Sequence, residues 1–136
     1  MARIILSVFA SALAMFCLAG LFTGVLAKDF IARNVNPAWL RQPPDLALTF
    51  LGYFLLACVM AWSYRKFVPQ VRRPAASGLK LGLFFAVAWL MPYTVVLFSI
   101  YDFPYKALGV DLPWALVEQG LGGGVMGLVQ GKRQHA

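Results

Sequence analysis

Charge is scarce in this chain, and acid scarcer still. Only 12% of the 136 residues are charged and five are Asp or Glu, where a soluble domain carries about 25% charged residues. There is one histidine, His135, in a short polar tail, and there are two separated cysteines, Cys17 and Cys58. That inventory leaves no ordinary metal site, and neither metal nor cofactor is expected. Hydrolytic or redox chemistry normally shows an embedded His, a Cys pair or several converging carboxylates. None is present, so no enzyme is expected. The cysteines fall in two successive apolar stretches of opposite direction, on opposite sides of the midplane, which argues against pairing. Buried free Cys usually serves as a small apolar filler. No lipidation motif is visible.

What the chain has in abundance is apolar length. Hydrophobic residues make up 61% of it, gathered into four stretches at 4–27, 46–64, 79–100 and 112–131. Each is about 20 residues, the length an α-helix needs to cross roughly 30 Å of hydrocarbon. The expectation is an all-α membrane protein: one domain over 1–136 with four transmembrane helices in an antiparallel bundle. Val25-Leu26-Ala27 resembles a signal-peptidase site, but 24 apolar residues exceed the usual 7–15 of a signal core.

The net charge of +7 follows topology rather than nucleic acid, since all twelve Lys/Arg lie near span ends. With the N-terminus inside, eight of them are cytoplasmic: Arg3, Arg65, Lys66, Arg72, Arg73, Lys80, Lys132 and Arg133. Lys28, Arg33, Arg41 and Lys106 are outside. The bias predicts both termini in the cytoplasm, and the basic second loop would attract anionic lipid. The setting is a multi-pass protein of a bacterial inner membrane.

The first span carries a stripe of small residues, Ser7, Ala10, Ala14, Cys17, Gly20, Gly24 and Ala27, at steps of three and four. Such faces let helices approach closely in lipid, within one chain or between two. Loop one, with Pro37, Trp39 and Pro43-Pro44, suits the membrane surface, with room for a short interfacial helix. Loop three, "YDFPYKALGVD", is aromatic. Pro92 frees the carbonyl of residue 88 and predicts a kink in the third span. An echo also runs through the chain. Asp29-Phe30 and Asp102-Phe103 follow spans one and three, while Asp45-Leu46 and Asp111-Leu112 open spans two and four. A parallel repeat would produce it, and so would the ordinary preference for Asp at a helix start.

The last span contains "VEQGLGGGVMG", residues 117–127. At about 100° per residue, Gly120, Gly123, Gly124, Gly127 and Gly131 share an arc of roughly 100°. Glu118 points away from them, on the side of Trp114 and Gly122. The glycine arc predicts a close helix contact. In a square bundle, two nearly opposed faces suggest that one is internal and the other meets a second chain. Glu118, roughly 9 Å into the span, is a candidate functional group because a mid-bilayer carboxylate is costly. Tyr53, Tyr93 and Thr94 lie at a similar depth and complete a candidate polar site, with Thr23 and Thr49 near the same level. A snorkelling or neutral structural Glu is the plainer alternative.

Two segments, "PPDLALTFLGYFLLACVMAWSY" and "DLPWALVEQGLGGGVMGLVQGKR", resemble small four-helix bacterial membrane proteins whose families have no known function. Asp111, Trp114, Glu118, Gly123 and Gly127 match their pattern. The resemblance implies fold and location but no activity. Two functions compete. The first is a self-associating or accessory subunit, a homo-oligomer or the partner of another membrane protein, held through the glycine face with Gly20 and Gly24 also available. The second is a small-solute or proton-coupled transporter or channel that uses Glu118. The inner halves of the spans offer few polar groups, chiefly Ser7, Ser11 and Gln130, which favours the first.

Overall fold

The computed structural model describes residues 1–68 and 73–131; Arg72, Lys132, Arg133 and His135 lie outside them. Every element in the described residues is helical. Helix α1 (Ala2–Leu21) runs on through a widened π-type turn, Phe22–Leu26, and is followed by the short α2 (Lys28–Asn34). Helix α3 covers Leu46–Phe67. Helix α4 (Pro74–Phe85) continues through a second π turn, Ala86–Leu90, into α5 (Met91–Ile100). The chain then enters the 27-residue α6 (Tyr105–Gly131). Three of these helices, Ala2–Leu26, Leu46–Phe67 and Pro74–Ile100, are long and apolar enough to cross a membrane. Their outer surfaces fit that reading: Leu13, Leu55, Val59, Phe84 and Val87 are all exposed.

Helix α6, expected as the fourth span, is not among these three. It is as long as any, yet Asp111, Glu118, Gln119 and its glycines keep it out of the apolar set. It is also the most enclosed helix, lying against α1, α4 and α5. A central helix can be less apolar than its neighbours because it shows little of itself to the outside. Val117, Leu121 and Leu128 form its exposed strip.

Centrality also changes the meaning of the glycine arc. Gly123, Gly127 and Gly131 face α4 of the same chain. A Cβ on Gly123 would collide with the Gly78 carbonyl, one on Gly127 with the Pro74 carbonyl, and one on Gly131 with the Pro74 ring. Gly78 and Gly82 reciprocate, four residues apart, against Gly123 and the Gln119 carbonyl. The opposed face is internal as well: Gly122 admits the Met15 side chain, and its carbonyl accepts the Ser11 hydroxyl at 2.9 Å. Both faces of α6 are therefore satisfied within one chain, because three helices surround it rather than two. Gly120 rests on Leu83, while Gly124 has 3.9 Å of clearance to Ala75 and Leu79.

Helix α1 buries Ser7, Val8, Ser11, Ala12 and Met15. Of the predicted stripe only Ser7 and Ala27 are buried; Ala10 and Ala14 are partly buried, Cys17 is exposed, and nothing lies within 4 Å of a Cβ placed on Gly20 or Gly24. Cys17 and Cys58 are exposed rather than buried fillers. That role falls to Met15, Met60 and Met126, which meet at the centre of the core, where a flexible thioether fills irregular space. Gln130 donates to the Ser7 hydroxyl at 2.9 Å, and the Tyr64 hydroxyl donates to the Pro74 carbonyl at 3.2 Å. These contacts close the end of the bundle that carries Met1, Phe67 and Gly131, hereafter the terminal end; the other is the α2 end.

Two further boundaries differ from expectation. Most of loop three is helical, because α6 starts at Tyr105, where the Pro104 carbonyl takes up the Ala107 N–H at 2.8 Å. Asp111 and Pro113 thus lie inside a helix, and the missing N–H of Pro113 frees the carbonyl of Gly109. By contrast, Asp45 caps α3, its Oδ1 accepting the Leu48 N–H at 3.0 Å. The two aspartates of the sequence echo do different work.

Candidate functional site

A carboxylate in an apolar helix must find partners or water. Residues 111, 114 and 118 are three and four apart, so Asp111, Trp114 and Glu118 share one face of α6. This face points away from α4 and toward the first turns of α3. Glu118 is only 5% exposed. Tyr53 of α3 lines the same two cavities as this carboxylate, and the Gln119 amide approaches Oε1 at 3.5 Å. The Trp114 indole N–H lies beside the same carboxylate but does not reach hydrogen-bonding geometry.

The group sits in the wall between two cavities. The first, about 300 Å³, lies under α2 at the α2 end, between the last turns of α1 and α6. Phe30, Ile31 and Val35 cover it, and Phe98 and Phe103 close its far side. The second, about 410 Å³, lies between α3 and the segment Trp89–Tyr93, with Gly52 on one wall and Gln119 at its depth. Tyr53, Asp111, Trp114 and Glu118 border both. Neither cavity extends beyond the level of Ala19, Leu56 and Gln119; below that level the methionine core fills the bundle. The polar centre is open toward the α2 end and closed toward the terminal end.

The π turns position the aromatic walls. The turn at Phe22–Leu26 sets the Phe22 ring flat against Trp114, with centroids 4.8 Å apart and planes 13° off parallel. The turn at Ala86–Leu90 ends just before Pro92, which has no N–H to continue the α ladder, and it presents Trp89 and Leu90 to the second cavity. The predicted kink thus takes the form of a π turn, a distortion frequent at functional sites.

Two polar atoms here have no partner. Trp114 Nε1 and Gln119 Oε1 are buried and unbonded, and Gln119 as a whole is 1% exposed. An unsatisfied buried donor or acceptor costs about 1–3 kcal/mol, so each would gain from a partner. One donor and one acceptor thus lie beside a carboxyl group and two aromatic walls.

Of the predicted polar layer, Tyr53 and Glu118 meet as a pair. Tyr93 lines the second cavity, stacked on Trp89 with centroids 6.2 Å apart, and is half exposed. Thr94 is buried but borders neither cavity. Thr49 lines the second cavity and Thr23 the first, although both hydroxyls are occupied by carbonyls of their own helices. The sequence-based polar site did not include Asp111, whose position suits a repeat or a helix cap, or the buried Gln119 side chain. The spacing 111, 114, 118 was a readable signal for the first. No sequence signal marks the second, because only the packing against α4 decides which way residue 119 turns. Comparison with protein-family models, with curated proteins and with solved structures finds no match to this chain.

Proposed function

We propose that this protein is a four-span bacterial inner-membrane protein, α6 being the fourth span, with both termini cytoplasmic, and that it binds a small solute at Glu118. The carrying observation is the position of that carboxylate: 5% exposed, beside Tyr53, and in the wall shared by two cavities. The unpartnered Trp114 and Gln119 atoms support binding over a purely structural role. The charge bias puts the α2 end outside, so the site faces outward above a closed inner half. That arrangement fits the outward-facing state of a small carrier, with Glu118 as its ionisable group. In vesicles, Glu118→Gln should abolish the pH dependence of solute flux while expression and oligomer size stay unchanged. A flux profile identical to the parent's would sink the role of Glu118, and a parent that moves no solute would sink transport.

One observation favours a second reading, an accessory or self-associating subunit. The α6 glycine face is taken up by α4, but Gly20 and Gly24 on α1 have open space before them, with exposed Cys17 one turn away. A second helix could approach there closely. Cross-linking through Cys17 in membranes tests this: a Cys17-dependent dimer that Gly20→Leu abolishes supports it, and a monomer under oxidising conditions removes it.

A further inference from the structure

The second cavity differs from the first in where it opens. Helix α3 and the 86–100 segment hardly touch each other, and the space between them is this cavity. Its rim residues Leu48, Trp89 and Tyr93 are half exposed or more, on the outer surface of the bundle. Gly52 on the α3 side has nothing within 4 Å of a Cβ placed on it. In a membrane that surface meets acyl chains, so the cleft is a side door from the bilayer. Its inner end holds the fully buried Gln119 with an unpartnered Oε1, an acceptor without a donor. The Trp114 indole N–H, a donor without an acceptor, borders the same space. Between door and head site the walls are Leu56, Leu90 and Gly52.

We infer that the solute of this site is a neutral single-chain amphiphile drawn from the outer leaflet. Its head carries a hydroxyl or amide that both donates and accepts, and its alkyl chain lies in the α3/α5 cleft. The inference rests on the Glu118 site being a solute site and adds the class of solute and its route. Gln119 Oε1 takes the donor of the head, and Trp114 Nε1 supplies a proton to its oxygen. Glu118, approached by the Gln119 amide, sets the polarity of the pocket floor. A cationic amine leaves the indole N–H without an acceptor, and a carboxylate head places a second acid beside Glu118 and Asp111. The cleft selects for a chain, because a head alone leaves its apolar walls uncovered. At about 410 Å³ the space is within the range of small-molecule sites.

The test uses the full-length protein in phosphatidylcholine nanodiscs with a monoacylglycerol whose chain carries a photoreactive diazirine. Labelling should map to 48–56 and 89–93, and monoolein should compete for it where glycerol, oleic acid and oleylamine do not. Gly52→Leu fills the door with a side chain that suits a helix, and it should reduce labelling at least tenfold. Gln119→Leu should reduce it about fivefold. Labelling that Gly52→Leu leaves unchanged, or that oleic acid or oleylamine displaces as well as monoolein does, overturns the inference. Competition by glycerol at the same concentration as monoolein also overturns it, while leaving a solute site at Glu118 intact. Specific labelling in a protein whose Glu118→Gln variant labels and transports like the parent retires the Glu118 reading instead.

Discussion

Gly123 and Gly124 are adjacent in sequence, yet a methyl group added to each meets a different fate. At Gly123 it would fall on the carbonyl of Gly78 and the backbone of Gly82, where no flexible side chain can yield. At Gly124 it finds 3.9 Å of clearance. Overpacking costs about 1–3 kcal/mol, whereas Gly→Ala at a tolerant helix position gains up to about 1 kcal/mol. Thermal unfolding in mild detergent should therefore show Gly123→Ala strongly destabilised and Gly124→Ala equal to the parent or better. Equal melting of the two variants would contradict the α4/α6 contact. The site has its own single-residue test. Tyr53→Phe removes the hydroxyl that shares both cavity walls with the buried Glu118, and loss of a polar neighbour from a buried acceptor costs up to about 1–3 kcal/mol. The variant should melt lower and bind solute more weakly than the parent. Binding unchanged by Tyr53→Phe would argue that the pair is structural only.

At the scale of elements, the aspartates of the echo separate cap from site. Asp45 accepts the Leu48 N–H and faces Arg41 at 3.6 Å, so Asp45→Ala should lower the melting stability by about 1 kcal/mol. Asp111 lies inside α6 and borders both cavities; Asp111→Asn should leave melting unchanged while altering solute affinity. Helix existence was readable from apolar runs, and the Pro92 break from the missing N–H. The glycine arc correctly marked a close contact. Its partner was present as well, in Gly78 and Gly82 one helical turn apart, but a single helix face does not announce which neighbour will cover it. Asp111 was misplaced because an Asp before an apolar run fits a cap as well as a helix interior, and Pro104 made the earlier start. The Glu118–Tyr53 pair was legible because a lone carboxyl and a tyrosine share one depth. The unpartnered Gln119 was not, because its direction is set by which glycine faces α4.

For the whole molecule, the orientation test is direct. Reporter fusions between α3 and α4, and at the C-terminus, should both read cytoplasmic; a periplasmic signal between α3 and α4 would invert the sidedness of the site. The cavities lie at the α2 end and the methionine core at the other, so orientation decides which side of the membrane the cavities face.

The position of α6 also bears on how the molecule is made. The helix at the centre of the bundle follows the three apolar spans in the chain, and it is the one whose composition is least suited to stand alone in lipid. Until it arrives, the small faces of α1 and α4 have nothing to close upon. A chain ending at residue 104 should therefore insert its first three spans yet be cleared quickly by membrane proteases, and co-expression of residues 101–136 as a separate peptide should extend its lifetime. The expected outcome is a bundle that closes only once α6 reaches the three spans that precede it.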